Sequence, residues 1–182
     1  MTQEGDIITF DNRPDATVYG VEFEGRKNLG FINPSLSYFS VGANLSLIQS
    51  ETKLTREELA SKLDNVPGAS TTRPLYDQAP YILNMELSYD HPSWGTSFSV
   101  LYNVAGPRLV IASLNTEDVY LQPAPLLDIV ISQRLARHIS LRFTAKNILN
   151  PELKRTYGKD SDLIYSSSTV GTTFGISLSG EF

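Results

Sequence analysis

The chain has 182 residues, of which 41% are hydrophobic, with a net charge of -5 and no cysteine. The negative balance argues against a nucleic-acid partner, because phosphate binding needs a basic face. Lack of cysteine excludes a disulfide framework and thiolate metal sites, and no run of about 18 apolar residues is available for a membrane-spanning helix.

Met1-Thr2-Gln3-Glu4-Gly5-Asp6 carries neither a basic region nor an apolar one, so it is not a signal peptide, and the chain is expected to be a fragment. Seven segments then alternate apolar and polar residues with period two, the pattern of half-buried strands. In chain order their apolar faces are Tyr19, Val21 and Phe23; Phe39, Val41, Ala43, Leu45 and Leu47; Tyr81, Leu83, Met85, Leu87 and Tyr89; and Trp94, Phe98, Val100 and Tyr102. The last three are Leu127, Ile129, Ile131 and Leu135; Ile139, Leu141, Phe143 and Ala145; and Phe174, Ile176 and Leu178, running on to Phe182. The opposite faces carry Glu22, Glu24, Asn44, Glu86, Ser88, Asp128, Arg134, Arg142 and Lys146, and no charge is expected on an apolar face.

Connections between these segments are alternately short and long. Short links run Asn28 to Pro34, Asp90 to Ser93 and Ala136 to His138; long ones run Glu51 to Gln78, Ser113 to Pro123 and Pro151 to Ser168. That rhythm predicts an antiparallel up-and-down transmembrane β-barrel, with tight periplasmic turns and large extracellular loops. Aromatics support it: Tyr81 and Tyr89 bracket one apolar face, and Trp94 and Tyr102 bracket another. Eight residues at about 3.3 Å each span roughly 26 Å, or roughly 20 Å along the membrane normal after tilting, near the apolar band of such barrels. Within the 51–78 loop, Thr55-Arg56-Glu57-Glu58 reads as a capping box, and the spacing predicts a short helix to about Leu63.

Several stretches resemble TonB-dependent receptors. Phe10-Asp11-Asn12, Ala16 and Tyr19-Gly20-Val21-Glu22-Phe23-Glu24 are similar to one of their barrel strands, and Ala79-Pro80-Tyr81-Ile82-Leu83-Asn84 to the strand after their large loop. Tyr102-Asn103-Val104-Ala105-Gly106-Pro107-Arg108, Ala145-Lys146-Asn147-Ile148-Leu149-Asn150-Pro151 and Gly171 to Phe182 follow in the family's order, covering nearly the whole chain. The resemblance implies the seven to eight carboxy-terminal strands of a barrel of about 22, in the outer membrane of a Gram-negative bacterium and embedded in its lipid bilayer. It implies that the amino-terminal barrel and plug of the same protein lie outside this chain. Further implications are TonB coupling through the plug, and import of a scarce nutrient such as siderophore-iron, cobalamin or a glycan. It also implies recognition by the barrel-assembly machinery through Phe174, Ile176, Leu178 and Phe182, although Gly180 departs from the aromatic common at its position.

Ligand contact is expected from loop residues that join area to a polar tip: Arg73, Tyr76, Glu117, Tyr120, Arg155, Tyr157 and Tyr165. Glu22, Glu24, Glu86, Arg134, Arg142 and Lys146 are expected to pair with one another on the inner wall. No catalytic, cofactor or metal site is expected. The two histidines, His91 and His138, fall in short turns, and Asp160-Ser161-Asp162 is at most a weak calcium ligand set. Two other readings fit the alternation: a complete outer-membrane barrel of about eight strands with a structural or adhesive role, and a soluble β-sandwich binding module that buries Phe98, Ile129, Leu141 and Ile176 between its sheets.

Overall fold

The computed structural model describes residues 15–180. The expected all-β antiparallel architecture is present. Its elements, in order, are β1 (Thr17–Asn28), β2 (Phe39–Lys53), α1 (Arg56–Leu63), β3 (Thr72–Arg73), β4 (Tyr81–His91) and β5 (Thr96–Ala105). There follow β6 (Arg108–Ile111), β7 (Val119–Leu121), β8 (Leu126–Ala136), β9 (Ile139–Lys146), β10 (Leu153–Tyr157), β11 (Ile164–Ser168) and β12 (Thr173–Gly180). The seven long strands form one up-and-down sheet in the order β1-β2-β4-β5-β8-β9-β12, and the short β3 pairs with the end of β2.

Register decides which face each side chain takes, since a one-residue slip would turn a whole strand over. Here the rows run apolar to apolar: Phe39, Tyr89, Phe98, Ile131, Phe143 and Ile176 lie side by side on successive strands. The next row runs Lys27, Val41, Leu87, Val100, Ile129, Ala145, Phe174. Lys27 is the penultimate residue of β1, whereas Phe174 is the second of β12, so the sheet is a slanted parallelogram. The upper margin of the apolar band moves from Tyr19, eight residues before Lys27, to Phe174 over six strand steps. That is about 1.3 residues per step, a slant of about 40° at about 3.3 Å per residue and about 4.8 Å between strands.

The apolar face is uncovered. Ile176 is 77% exposed, and Tyr19, Phe23, Met85, Phe174 and Leu178 are exposed as well. Phe98 and Ile129 are only half-buried and Leu141 is exposed, so the layer that a sandwich needs over this face is missing among the described residues. The expected freedom of this face from charge needs correction at both ends, since Glu51 of β2, opposite Thr17, shares this side beyond the long-link margin of the band. Lys27 lies on the same face, at the short-link rim, with its ammonium 5.5 Å from the Phe31 ring centroid. A long stem beside apolar surface with its head over an aromatic face is how lysine occupies such a margin.

The short links differ in detail from the sequence reading. The first spans 29–38 and contains two 3-10 turns, Leu29–Phe31 and Pro34–Leu36, each capped by an asparagine side chain. Trp94 is not on a strand but in the 92–95 turn, and His91 closes β4 rather than lying in the turn. Tyr38, His91 and Trp94 stack there, with ring centroids 4.0 and 4.2 Å apart. Tyr102 pairs with Met85, in the middle of the band, and so does not join Tyr81 in an upper ring. Leu135 sits in a register shift between Arg134 and Ala136 and leaves the regular alternation.

The long links hold the largest difference. The sequence pattern predicts plain loops over Ser113 to Pro123 and Pro151 to Ser168, yet both stretches contribute to a second sheet in the order β11-β10-β7-β6. Each of its strands adjoins in sequence a strand of the main sheet: β6 follows β5, β7 precedes β8, β10 follows β9 and β11 precedes β12. The junctions hold Gly106-Pro107, Pro123 with Pro125, Asn147 with Asn150 (φ 55° and 42°), and Gly171 (φ 90°). Proline removes a ladder donor, and these Asn and Gly conformations cannot continue a strand, so the two sheets part along one line. The 51–78 loop is likewise shorter than expected, because Glu51–Lys53 belong to β2. Its helix forms as expected, with Thr55 Oγ1 accepting from the Glu58 amide and Glu58 accepting from the Thr55 amide.

Gly106 shows how tightly the junction is built. A Cβ there would lie 2.8 Å from the Tyr81 ring. Gly106→Val should therefore destabilise the protein by about 1–3 kcal/mol through overpacking, measured by urea unfolding; Gly106→Ala should cost less. Thr55→Ala should weaken the helix by about 1 kcal/mol, seen as faster amide exchange of Glu58.

Candidate functional site

Two polar regions stand out. One is the charged face of the main sheet; the other is a buried ion cluster where α1, β3 and β7 meet.

On the charged face, register aligns Asn44, Asn84 and Asn103 on β2, β4 and β5, and Glu22 of β1 joins the row on the diagonal. Asn103 Nδ2 donates to Asn84 Oδ1 (2.6 Å), Asn84 Nδ2 to Asn44 Oδ1 (3.4 Å), and Asn44 Nδ2 to Glu22 Oε1 (2.7 Å). Ser46 also donates to Glu22. The expected pairing of wall charges with one another is therefore not how this wall is stitched. Glu86 pairs with Arg26 at 3.4 Å, and Arg134 turns to the Pro92 carbonyl and packs over Gly95. Gly42 stands on β2 directly between Arg26 and Glu86, in the row next to the Asn row, and its missing side chain leaves a depression bordered by Glu24, Asn44, Asn84, Asn103 and Asp128. Such a wall offers many hydrogen-bonding groups.

The second region joins two of the expected ligand residues, Arg73 and Tyr120, to two charges that the sequence pattern does not mark, Lys62 and Asp118. Lys62 Nζ donates to Asp118 Oδ1 at 2.6 Å, and Arg73 Nε lies 3.6 Å from Asp118 Oδ2. The Ser113 amide donates to the same Oδ1 at 2.9 Å. All three charged side chains are at most 9% exposed. The cluster sits beside Leu109 and Val119, the most deeply buried large side chains among the described residues. Tyr120 is buried with them, and its phenol is pushed up to about 12 by burial first and by the Asp118 charge second, with Arg73 opposing.

The expected ligand residues thus divide. Arg73 and Tyr120 come together, but inside the cluster rather than at the surface. Tyr157 and Tyr165 meet edge to face at 5.3 Å on neighbouring strands of the second sheet, where Arg155 donates to Ser166. Tyr76 stands apart at 71% exposure, and Glu117 is exposed beside the buried Asp118. Nearby on the second sheet, Ser167 and Lys154 hold the Glu152 carboxyl below its usual range. Phe182 and the Phe10-Asp11-Asn12 stretch lie outside the described residues. No group of three or more His, Asp or Glu suited to a metal occurs among the described residues, Asp160 and Asp162 included.

Lys62 and Asp118 escape a sequence reading because each looks like an ordinary loop charge. The usable signal is the run Asp118-Val119-Tyr120-Leu121 between turn residues, a short strand with a carboxylate at its start. No family model, no curated protein and no solved structure matches the chain.

Asp118→Asn should leave two buried cations without their counter-charge and cost about 3–5 kcal/mol, read as loss of protease resistance in the second sheet. Because the Tyr120 phenol lies above its unfolded value, its contribution to stability is complete below pH about 10 and is lost as pH rises through about 12. Ultraviolet titration should show one tyrosine ionising last, and Tyr120→Phe should remove that step.

Proposed function

We propose that this chain is part of the wall of an outer-membrane β-barrel of the TonB-dependent transporter type. It would import a scarce nutrient, such as siderophore-iron, cobalamin or a glycan, rather than carry out catalysis. The observation that carries this reading is the uncovered apolar face together with its slant. A band sliding by about 1.3 residues per strand matches the 35–45° tilt of strands in membrane barrels. Lipid gives the exposed Phe23, Met85, Ile176 and Leu178 a solvent that water does not, and the stacked Tyr38, His91 and Trp94 suit the interfacial margin.

Strand direction also bears on size. The main sheet has seven antiparallel strands, so its edge strands β1 and β12 run the same way. They cannot close on each other with an antiparallel seam. In hydrocarbon an unpaired edge costs several kcal/mol per orphan group, so an odd number of further strands is needed between β12 and β1. This favours a section of a larger barrel over closure of these seven strands alone. In that barrel the long links face outward from the cell, the polar face lines the lumen, and the plug that couples to TonB comes from polypeptide outside this chain.

Transport is tested by deleting the whole gene and measuring uptake of iron chelates, cobalamin and glycans. One nutrient should lose uptake to the extent seen in cells lacking TonB; unchanged uptake of all three would contradict the transport reading. The facing of the wall is tested separately. Leu141→Arg near the bilayer midplane should cost about 2–4 kcal/mol, whereas Ser140→Arg, on the lumen side, should be tolerated. Equal losses at the two positions in reversible unfolding from lipid vesicles would count against it.

A further inference from the structure

The barrel reading does not account for one buried group, the guanidinium of Arg73. Its side chain is 4% exposed, and Nη1 and Nη2 have no hydrogen-bond partner. Asp118 does not satisfy them. Its Oδ1 already accepts from Lys62 and the Ser113 amide, and its Oδ2 is 3.6 Å from Nε, too far for a hydrogen bond. By charge the cluster is one anion short, with Lys62 and Arg73 facing one carboxylate. A buried cation in that condition is strongly destabilising unless another negative group joins it. The two free Nη groups form a planar fork, the geometry that takes a carboxylate or a phosphate through two parallel hydrogen bonds.

We propose that Arg73, supported by Lys62, is a binding site for the anionic group of a ligand, a carboxylate or a phosphate. The site lies where the helix-bearing loop meets the second sheet, at the long-link end of the wall. Identifying the ligand as the imported nutrient rests on the transport reading; the anion site itself does not. The chemistry selects a nutrient that carries at least one carboxylate or phosphate over a neutral one.

The test uses the full-length protein in detergent, with inorganic phosphate and acetate as probes and chloride at equal ionic strength as the reference. Wild type should gain a saturable rise in Tm with one of the two probes, and which one it is separates a phosphate from a carboxylate ligand. Arg73→Lys keeps the charge but loses the fork, so half-saturation should move up by about tenfold or more, while Arg137→Lys at the opposite rim should leave it unchanged. A second measurement needs no variant. An anion seated beside Arg73 adds negative charge near Tyr120, so the late tyrosine ionisation should move to still higher pH when the probe is present. A probe response that Arg73→Lys leaves intact overturns the proposal, as does the absence of both a Tm rise and a tyrosine shift with either probe. Loss of nutrient uptake on gene deletion with no anion response would retain transport and reject this site, whereas an anion response without any uptake defect would do the reverse.

Discussion

Backbone pairing between seven antiparallel strands in one steadily slanted register is the constraint on which everything else depends. Because side chains alternate across a strand, that register gathers Val41, Leu87, Val100 and Ile129 onto one face and Asn44, Asn84 and Asn103 onto the other. Neither face is covered by another layer among the described residues. A water-soluble sheet of this size must bury its apolar side against something. This one is finished on both sides instead, with a continuous apolar band on one and a hydrogen-bonded polar row on the other. The slant sets the heights of the strand ends, and so fixes where the short links, the aromatic stack and Lys27 come to lie.

The strands are legible in the sequence because period-two alternation is a local property that survives without any tertiary information. The helix is legible for the same reason, since Thr55 and Glu58 cap it through contacts three residues apart. What escapes is non-local or too short. β6, β7, β10 and β11 are three to five residues each, flanked by Pro, Gly and Asn, and a run of that length carries no periodicity above loop composition. Lys27 escapes because Gly25 interrupts the alternation after Phe23, before it reaches the lysine. Tyr102 looks like a rim residue when its own strand is read alone; only its pairing with Met85 puts it in the middle of the band.

The ion cluster shows the same limit from the other side. Lys62, Arg73 and Asp118 are up to 56 residues apart in sequence, and each occupies a stretch that reads as a solvated loop. Their union is a consequence of folding the long links into a second sheet against α1 and β3. Two of the residues chosen for chemical suitability, Arg73 and Tyr120, do occupy one site, but as buried partners of a carboxylate that no local pattern marks. Residue type alone says nothing of their burial or of the charge balance around them, which follow from the fold.

The central claim is that the apolar face meets lipid and the polar face meets water. Nitroxide labels placed singly at residues 83 to 88 of β4 in the full-length protein, reconstituted in vesicles, test it most directly. Collision rates with oxygen should peak at Leu83, Met85 and Leu87, and those with a water-soluble nickel complex at Asn84, Glu86 and Ser88. The same accessibility at all six positions, or the opposite phase, would contradict the account.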